Sequence, residues 1–411
     1  MWCFAYALMI DCNTMSKHEN GDSKKTRPFF VMTAVGVVVT GIALFAVGYT
    51  TTFAFLGSRT PIAYLRAGVA SSTATSSIIQ SAPVALDVAA YNAKLLQLAN
   101  YKTPLATSIT VQATSTRLLS QATSTATSTT TTVVSKHRLW PANAAVPLPG
   151  ALLPFNRIVA YYGNFYSTGM GVLGEYPEDQ VLAMLASTTA MWRAADPSTP
   201  VIPAIDYIAV TAQASPGADG KYRARMPDSQ IQKAIDMATQ AHGIVFLDVQ
   251  VGLSNVQTEV PLLEKYLKLP QVELCIDPEF AMQTSGMRPG SVIGTLDASD
   301  INFVSHYLAG LVTQYNLPPK ILVVHRFTED MVTNYKEIKT VPQVQFVMDM
   351  DGWGSQAKKI GTYTNVIYAE PVQFTGFKLF YKNDIKPPST GMLSPTQILS
   401  FIPQPSFIQY Q

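Results

Sequence analysis

Cysteine is scarce in this 411-residue chain: Cys3, Cys12 and Cys275 are the only three. Two fall in the first dozen residues and the third in an apolar run, a spacing that supports neither a disulfide framework nor a metal knuckle. Cys275 reads as a small buried residue. Charge is sparse and balanced, with 29 basic against 27 acidic residues and a net charge of +2. That removes the electrostatic case for nucleic acid as a partner. No His-Glu-x-x-His or His-x-His pair occurs, which argues against a zinc hydrolase. No Gly-x-Ser-x-Gly elbow occurs, which leaves a serine nucleophile unsupported.

What is present divides the chain into five stretches. Residues 1–27 form a polar leader whose apolar start, Trp2 to Ile10, is too short to span a bilayer. The ordinary polar run after Met15 suggests translation from Met15. Residues 28–57 carry no charge and suffice to cross roughly 30 Å of hydrocarbon as one helix. Lys24, Lys25 and Arg27 precede that run, so the positive-inside rule keeps the leader cytoplasmic and exports the remainder. A cleaved signal peptide is the alternative; the length of the run and the missing small-x-small site favour an uncleaved anchor. Residues 58–103 are a membrane-proximal segment, with apolar residues at helical spacing over Val84–Tyr101. Residues 104–150 are a Ser/Thr/Pro-rich linker, repeating Ala-Thr-Ser-Thr at 113–116 and 122–125. Such a tract cannot bury enough apolar surface to fold and reads as a tether.

From residue 151 to 411 strand-like and helix-like segments alternate. Strands are expected at Ile158–Asn164, Val201–Val210, Ile244–Val251, Val272–Phe280, Ser291–Asp297, Ile321–Phe327, Val344–Asp351 and Gly376–Tyr381. Helices are expected between them, with Asp228, Asp297 and Ser394 as N-caps. Eight strands alternating with helices over some 255 residues predict an α/β fold, a (β/α)8 barrel with a transmembrane helix and a disordered linker before it. A doubly wound sheet is the runner-up, but the first strand ends Tyr161-Tyr-Gly-Asn-Phe-Tyr166, without a glycine-rich phosphate turn.

In a barrel the working face lies at the carboxyl ends of the strands. The stretch Val272-Glu-Leu-Cys-Ile-Asp-Pro-Glu-Phe-Ala-Met282 places Asp277 and Glu279 together, because strand side chains return to one face every second residue. Counting the other strand ends in the same way adds Asp206, Asp248, Gln250, His325, Asp349, Asp351 and Lys378. Carboxyls gathered at one site raise one another's pKa, which suits an acid/base pair. His325 and Lys378 would balance the charge. Tyr162, Asn164, Gln250, Glu329, Trp353 and Phe380 are candidate ligand contacts, since flat aromatic faces suit sugar rings. The loop Ala214–Arg225 could close as a lid, with Arg223 or Arg225 reaching an anion.

This layout resembles the large glycoside-hydrolase barrel superfamily, which carries its acid/base after strand four and its nucleophile after strand seven. The resemblance covers residues 155–411 and implies Glu279 as the acid and Asp349 or Asp351 as its partner. It departs where the superfamily has Asn-Glu and this chain has Pro278-Glu279, and where it has a second Glu and this chain has Asp. The chain also resembles exported, lipid- or membrane-anchored bacterial barrel proteins of unestablished function. The expectation is a tethered extracytoplasmic enzyme acting on cell-envelope carbohydrate, without a cofactor. Two alternatives stay open. One is hydrolase or lyase chemistry on Mg2+ or Ca2+ held by Asp248, Asp277 and Glu279; the other is a surface carbohydrate-binding protein without turnover.

Overall fold

The computed structural model describes residues 85–101 and 138–411. The leader, the expected anchor at 28–57 and most of the expected linker lie outside the described residues. Among the described residues no helix is long and apolar enough to cross a membrane.

Eight strands carry the fold: β1 Arg157–Gly163, β2 Val201–Ala212, β3 Ile244–Val249, β4 Val272–Ile276, β5 Lys320–Arg326, β6 Val344–Met350, β7 Phe374–Leu379 and β8 Phe407–Tyr410. Each pairs in parallel with the next, and β8 pairs back onto β1 through Ile158↔Phe407 and Tyr161↔Tyr410. The sheet is therefore a closed parallel barrel. Its strands read as nearly unbroken apolar runs because both faces are covered. One face, with Val159, Tyr161, Leu274, Ile276 and Val324, packs in the large cluster shared with the helices. The other turns inward: Ile158, Ala160, Ala204, Phe246, Cys275, Val323, Val347 and Phe407 form a separate inner cluster. The interior is a packed core, not a pore.

Two expectations about the strands need correction. Ser291–Asp297 is not a barrel strand; only Leu296–Asp297 is extended, paired outside the barrel with Val332–Thr333. Its Gly294 lies against the turn after β4, where an added Cβ would stand 2.5 Å from the Pro278 carbonyl oxygen. A run broken by such a contact serves as a clasp. The true eighth strand is the four-residue run Phe407–Tyr410, just after Pro403 and Pro405. Asp349 and Asp351 consequently close β6, and Lys378 lies on β7. Neither Asp349 nor Asp351 therefore falls at the superfamily's position after strand seven.

The long helices Glu178–Ala195 and Ala298–Tyr315 form between strand segments, as the alternation leads one to expect. Asp297 caps the second, in a capping box with Asp300, and Ser394 caps Pro395–Ile398. Asp228 does not cap; it is the first helical residue and Pro227 holds the N-cap place. Between Ile321–Phe327 and Val344–Asp351, where a helix is expected, the chain instead makes two short 3-10 turns, Glu329–Met331 and Tyr335–Glu337.

The amino-terminal end of the barrel is closed from outside. Helix Val88–Ala99 sets Tyr91 into the inner cluster, with Leu86, Leu95 and Leu153 around it. Asn100 ties the helix end to the Phe401 carbonyl at 2.9 Å. The proline-punctuated stretch at the end of the expected linker also docks on the barrel: Trp140 is buried, and Leu148 N donates to the Pro342 carbonyl at 2.9 Å.

Candidate functional site

The innermost residue near the carboxyl end of each strand is polar, except where a tyrosine or cysteine stands in. Going round from β1 these are Tyr162, Asp206, Asp248, Cys275, His325, Asp349, Lys378 and Gln409, all at most 3 % exposed. Asp277, Gln250, Asp351 and Glu279 follow one step higher. Eight parallel strands thus bring to one axis residues separated by more than 240 positions in sequence.

His325 is the hub. Its Nδ1 lies 3.1 Å from Asp349 Oδ2 and 3.6 Å from Asp351 Oδ2, and its Nε2 lies 3.8 Å from Asp248 Oδ2. Burial alone would lower its pKa, but the bond to Asp349 and the charges of Asp351 and Asp248 outweigh that and push it up to about 10. Lys378 is the second cation, 3.0 Å from Asp351 Oδ1, with its ammonium 3.8 Å from the centre of the Tyr162 ring. Burial opposes its charge; Asp351, Asp277 and Asp349 more than compensate, so it too is raised.

Six carboxyls face these two cations. Burial, with Asp248 beside it, raises Asp206 to about 7. Burial likewise raises Asp277 to about 7, against the pull of His325. Asp248 and Asp349 are raised by burial and partly restored by His325. Glu279, partly exposed on the rim, is pushed up to about 8 by desolvation and by the neighbouring charges of Asp277 and Asp351. The Pro278–Phe280 turn fixes it there: Asp277 Oδ1 accepts from Glu279 N at 3.0 Å, and Gly294 N donates to the Glu279 carbonyl at 2.7 Å. Gln250 bridges, donating to the Tyr162 hydroxyl at 3.2 Å and to Asp277 Oδ2 at 3.4 Å.

Glu279, Asp277, Asp351, Asp349, Asp248, His325, Lys378, Tyr162 and Gln250 thus converge. Other candidates do not. Asn164 spends its amide on the Ile208 carbonyl and its oxygen on Tyr166 N, so it shapes a turn. Glu329 has an exposed side chain on an outer loop, and its carbonyl accepts from Arg326. Phe380 is buried, with Lys378 and Lys359 about its ring at 5.2 and 5.0 Å. Trp353 is half-buried on the loop after β6, with the Lys358 ammonium 5.2 Å from its ring. Arg223 and Arg225 both bind the fully buried Glu259, at 2.8 and 2.7 Å, and so pin their loop instead of closing it as a lid.

Sequence reasoning passed over three groups. Gln409 donates to Asp206 from a strand too short and too near the end to be recognised. The buried pair Lys359–Asp384, 2.9 Å apart, stitches the loops after β6 and β7: Lys359 donates to the Gly352 and Lys378 carbonyls, and Asp384 accepts from Gly354 N and Phe380 N. Neither residue stands on a strand, so no period pointed to them.

No protein-family model matches the chain, and no curated protein matches it. Among solved structures, a GH18 chitinase from Pseudoalteromonas aurantia is 14% identical, with 62% of this chain and 93% of that one covered at a TM-score of 0.31. A ruminal GH26 endo-beta-1,4-mannanase is 10% identical over 62% of this chain and 59% of its own, also at 0.31. The HPPK-DHPS of Plasmodium falciparum, with pteroate, is 9% identical over 62% of this chain and 44% of its own, at 0.29. At these values the likenesses carry no functional argument. The parallel barrel itself rests on the strand pairing above.

Proposed function

We propose that the barrel is a glycoside hydrolase-like enzyme, tethered outside the cell by the segment at 28–57 and acting on cell-envelope carbohydrate. Glu279 is its general acid and Asp351 the partner carboxylate. The observation that carries this reading is Glu279: a rim carboxyl held up to about 8, beside Asp277 and beside an Asp351 ion-paired with Lys378. Glycoside hydrolysis needs such a pair, one carboxyl still protonated at neutral pH and one carboxylate. Asp351 takes the role expected of Asp349, because Asp349 lies deeper and is bound to His325.

In this reading the Glu279 proton passes to the glycosidic oxygen as the carbon–oxygen bond breaks. Asp351 meets the positive charge developing at the anomeric carbon. Water then supplies the hydroxyl of the product, and its proton restores Glu279. Asp277 holds the Glu279 backbone, while His325 and Lys378 limit the accumulated negative charge. Tyr166, exposed just past β1, offers a flat face to a sugar chain.

The test compares the full-length protein with Glu279→Gln. Reducing-end release from envelope polysaccharides is expected to fall by about 10²–10⁴ in the variant, the usual contribution of a positioned acid, while binding to the same polymer survives. Undiminished release by the variant would refute the assignment. Binding without release by the parent on any polysaccharide would make the protein a tethered binder.

A further inference from the structure

The layer beneath the rim contains more polar atoms than it satisfies. Among the described residues Asp206 Oδ1, His325 Nε2, Asp349 Oδ1 and Gln409 Oε1 have no hydrogen-bond partner, and Asp248 makes no well-formed bond through either oxygen. All five side chains are 0 % exposed. Buried polar atoms left in this state cost about 1–3 kcal/mol apiece, so native proteins seldom leave several in one place. The carboxyls also outnumber the cations.

Three of the side chains share a narrower geometry. One ligand atom each from Asp206, Cys275 and His325 lies within 4.8 Å of the other two, and all three residues are buried. Cys275 Sγ is 3.3 Å from Asp206 Oδ2. His325 has one nitrogen committed, with Nδ1 against Asp349 at 3.1 Å, which leaves Nε2 turned to the interior. A carboxylate on one ring nitrogen with the other left open is the arrangement that orients histidine as a metal ligand. Asp248, 3.8 Å from Nε2, is within reach as a fourth donor.

We propose that Asp206, Cys275 and His325, with Asp248 beside them, hold one divalent transition-metal ion of the zinc or cobalt class inside the barrel. Imidazole and thiolate favour such ions, whereas Mg2+ and Ca2+ prefer all-oxygen sites. A four-coordinate ion of this class sits about 2.0–2.3 Å from each ligand atom, so the side chains draw in on binding. Binding displaces the thiol proton of Cys275 and the proton on Nε2 to solvent; the ion's two charges replace the lost imidazolium charge and offset the new thiolate. The site lies below the rim that carries Glu279, so the ion braces the strand ends and does not meet the substrate.

Cobalt reports this directly, because thiolate ligation gives a charge-transfer band and four-coordination gives intense visible bands. The full-length chain carrying Cys3→Ser and Cys12→Ser retains Cys275 as its one thiol. Titrating it with Co2+ is expected to develop the charge-transfer band to one equivalent, and excess Mg2+ or Ca2+ is expected to leave the band unchanged. Cys275→Ser, shown to be folded by circular dichroism, should lack the band, and Asp206→Asn should weaken Co2+ binding at least about tenfold. A parent protein without the band refutes the site whatever the variants do, and so does a band that survives Cys275→Ser or yields to Mg2+. No substrate enters the measurement, so a negative result leaves the glycosidase reading untouched.

Discussion

Replacing Gly376 by alanine tests the packing of the barrel interior more sharply than any truncation. Gly376 faces inward on β7, level with Asp349 on β6 and Phe407 on β8. A Cβ there would stand 2.4 Å from Asp349 Oδ1 and 3.1 Å from Asp349 Cβ, closer than packed atoms come. The carboxylate cannot swing aside without giving up its 3.1 Å contact with His325. Overpacking a filled interior costs about 1–3 kcal/mol, and weakening a hydrogen bond between charged groups adds up to about 1.5–3 kcal/mol. A total near 3 kcal/mol lowers the melting temperature of a domain this size by roughly 6–12 °C. Gly310→Ala is the control: it lies within helix Ala298–Tyr315, where an added Cβ meets nothing within 4 Å. Alanine should stabilise there by about 0.5–1 kcal/mol. Urea unfolding followed by fluorescence measures both. The cost of Gly376→Ala should also shrink in an Asp349→Ala background, since the colliding group is gone. An unchanged midpoint for Gly376→Ala, or full additivity with Asp349→Ala, would refute the placement of Asp349 inside the barrel.

Two further outcomes follow from buried ionisable groups. Glu273, inside the opposite end of the barrel, is raised to about 7 by burial, opposed by Lys320 and the Ile321 amide. Its folded pKa exceeds its unfolded value, so the folded state binds more protons, and stability falls as pH rises from about 4.5 to about 7. Glu273→Gln should remove up to about 3 kcal/mol of that decline in urea titrations at pH 5 and pH 8, at 1.36 kcal/mol per unit; an unchanged pH slope would contradict the shift. Lys359→Met leaves Asp384 buried without its cation and should cost about 3–5 kcal/mol. Lys359→Met together with Asp384→Leu should recover part of that loss in the same assay, and no recovery would show that the pair is not the unit.

Much of this barrel was legible because strand burial leaves a plain signature. Val201–Val210, Ile244–Val251 and Val344–Asp351 are apolar runs interrupted by a carboxylate, Asp206, Asp248 and Asp349 in turn, and each is a barrel strand with that carboxylate turned inward. Period-two counting gave the correct face for Asp206, Asp248, His325, Asp349 and Lys378. It could not give their height along the axis, and height separates the rim residues Glu279 and Asp351 from the enclosed Asp349 and Asp248. Ser291–Asp297 misled because it is a clasp held on the β4 turn by the backbone of Gly294, with Ile293 left exposed, and composition does not distinguish that from a strand. Phe407–Tyr410 was missed because four residues after two prolines carry too little pattern, although strand pairing on both sides holds them. Lys359 and Asp384 were invisible because they pair with each other and with backbone atoms, from segments that carry no strand period.

The protonation state of Glu279 decides whether it can serve as the general acid. With a pKa of about 8, roughly nine in ten molecules carry the proton at pH 7; at the ordinary value of 4.5 only about three in a thousand would. Infrared difference spectra between the full-length protein and Glu279→Gln, recorded from pH 5 to pH 10, isolate that one carboxyl. A protonated carboxyl band is expected at pH 7, disappearing on passage through about pH 8; a band already gone by pH 6 would contradict Glu279 as the acid.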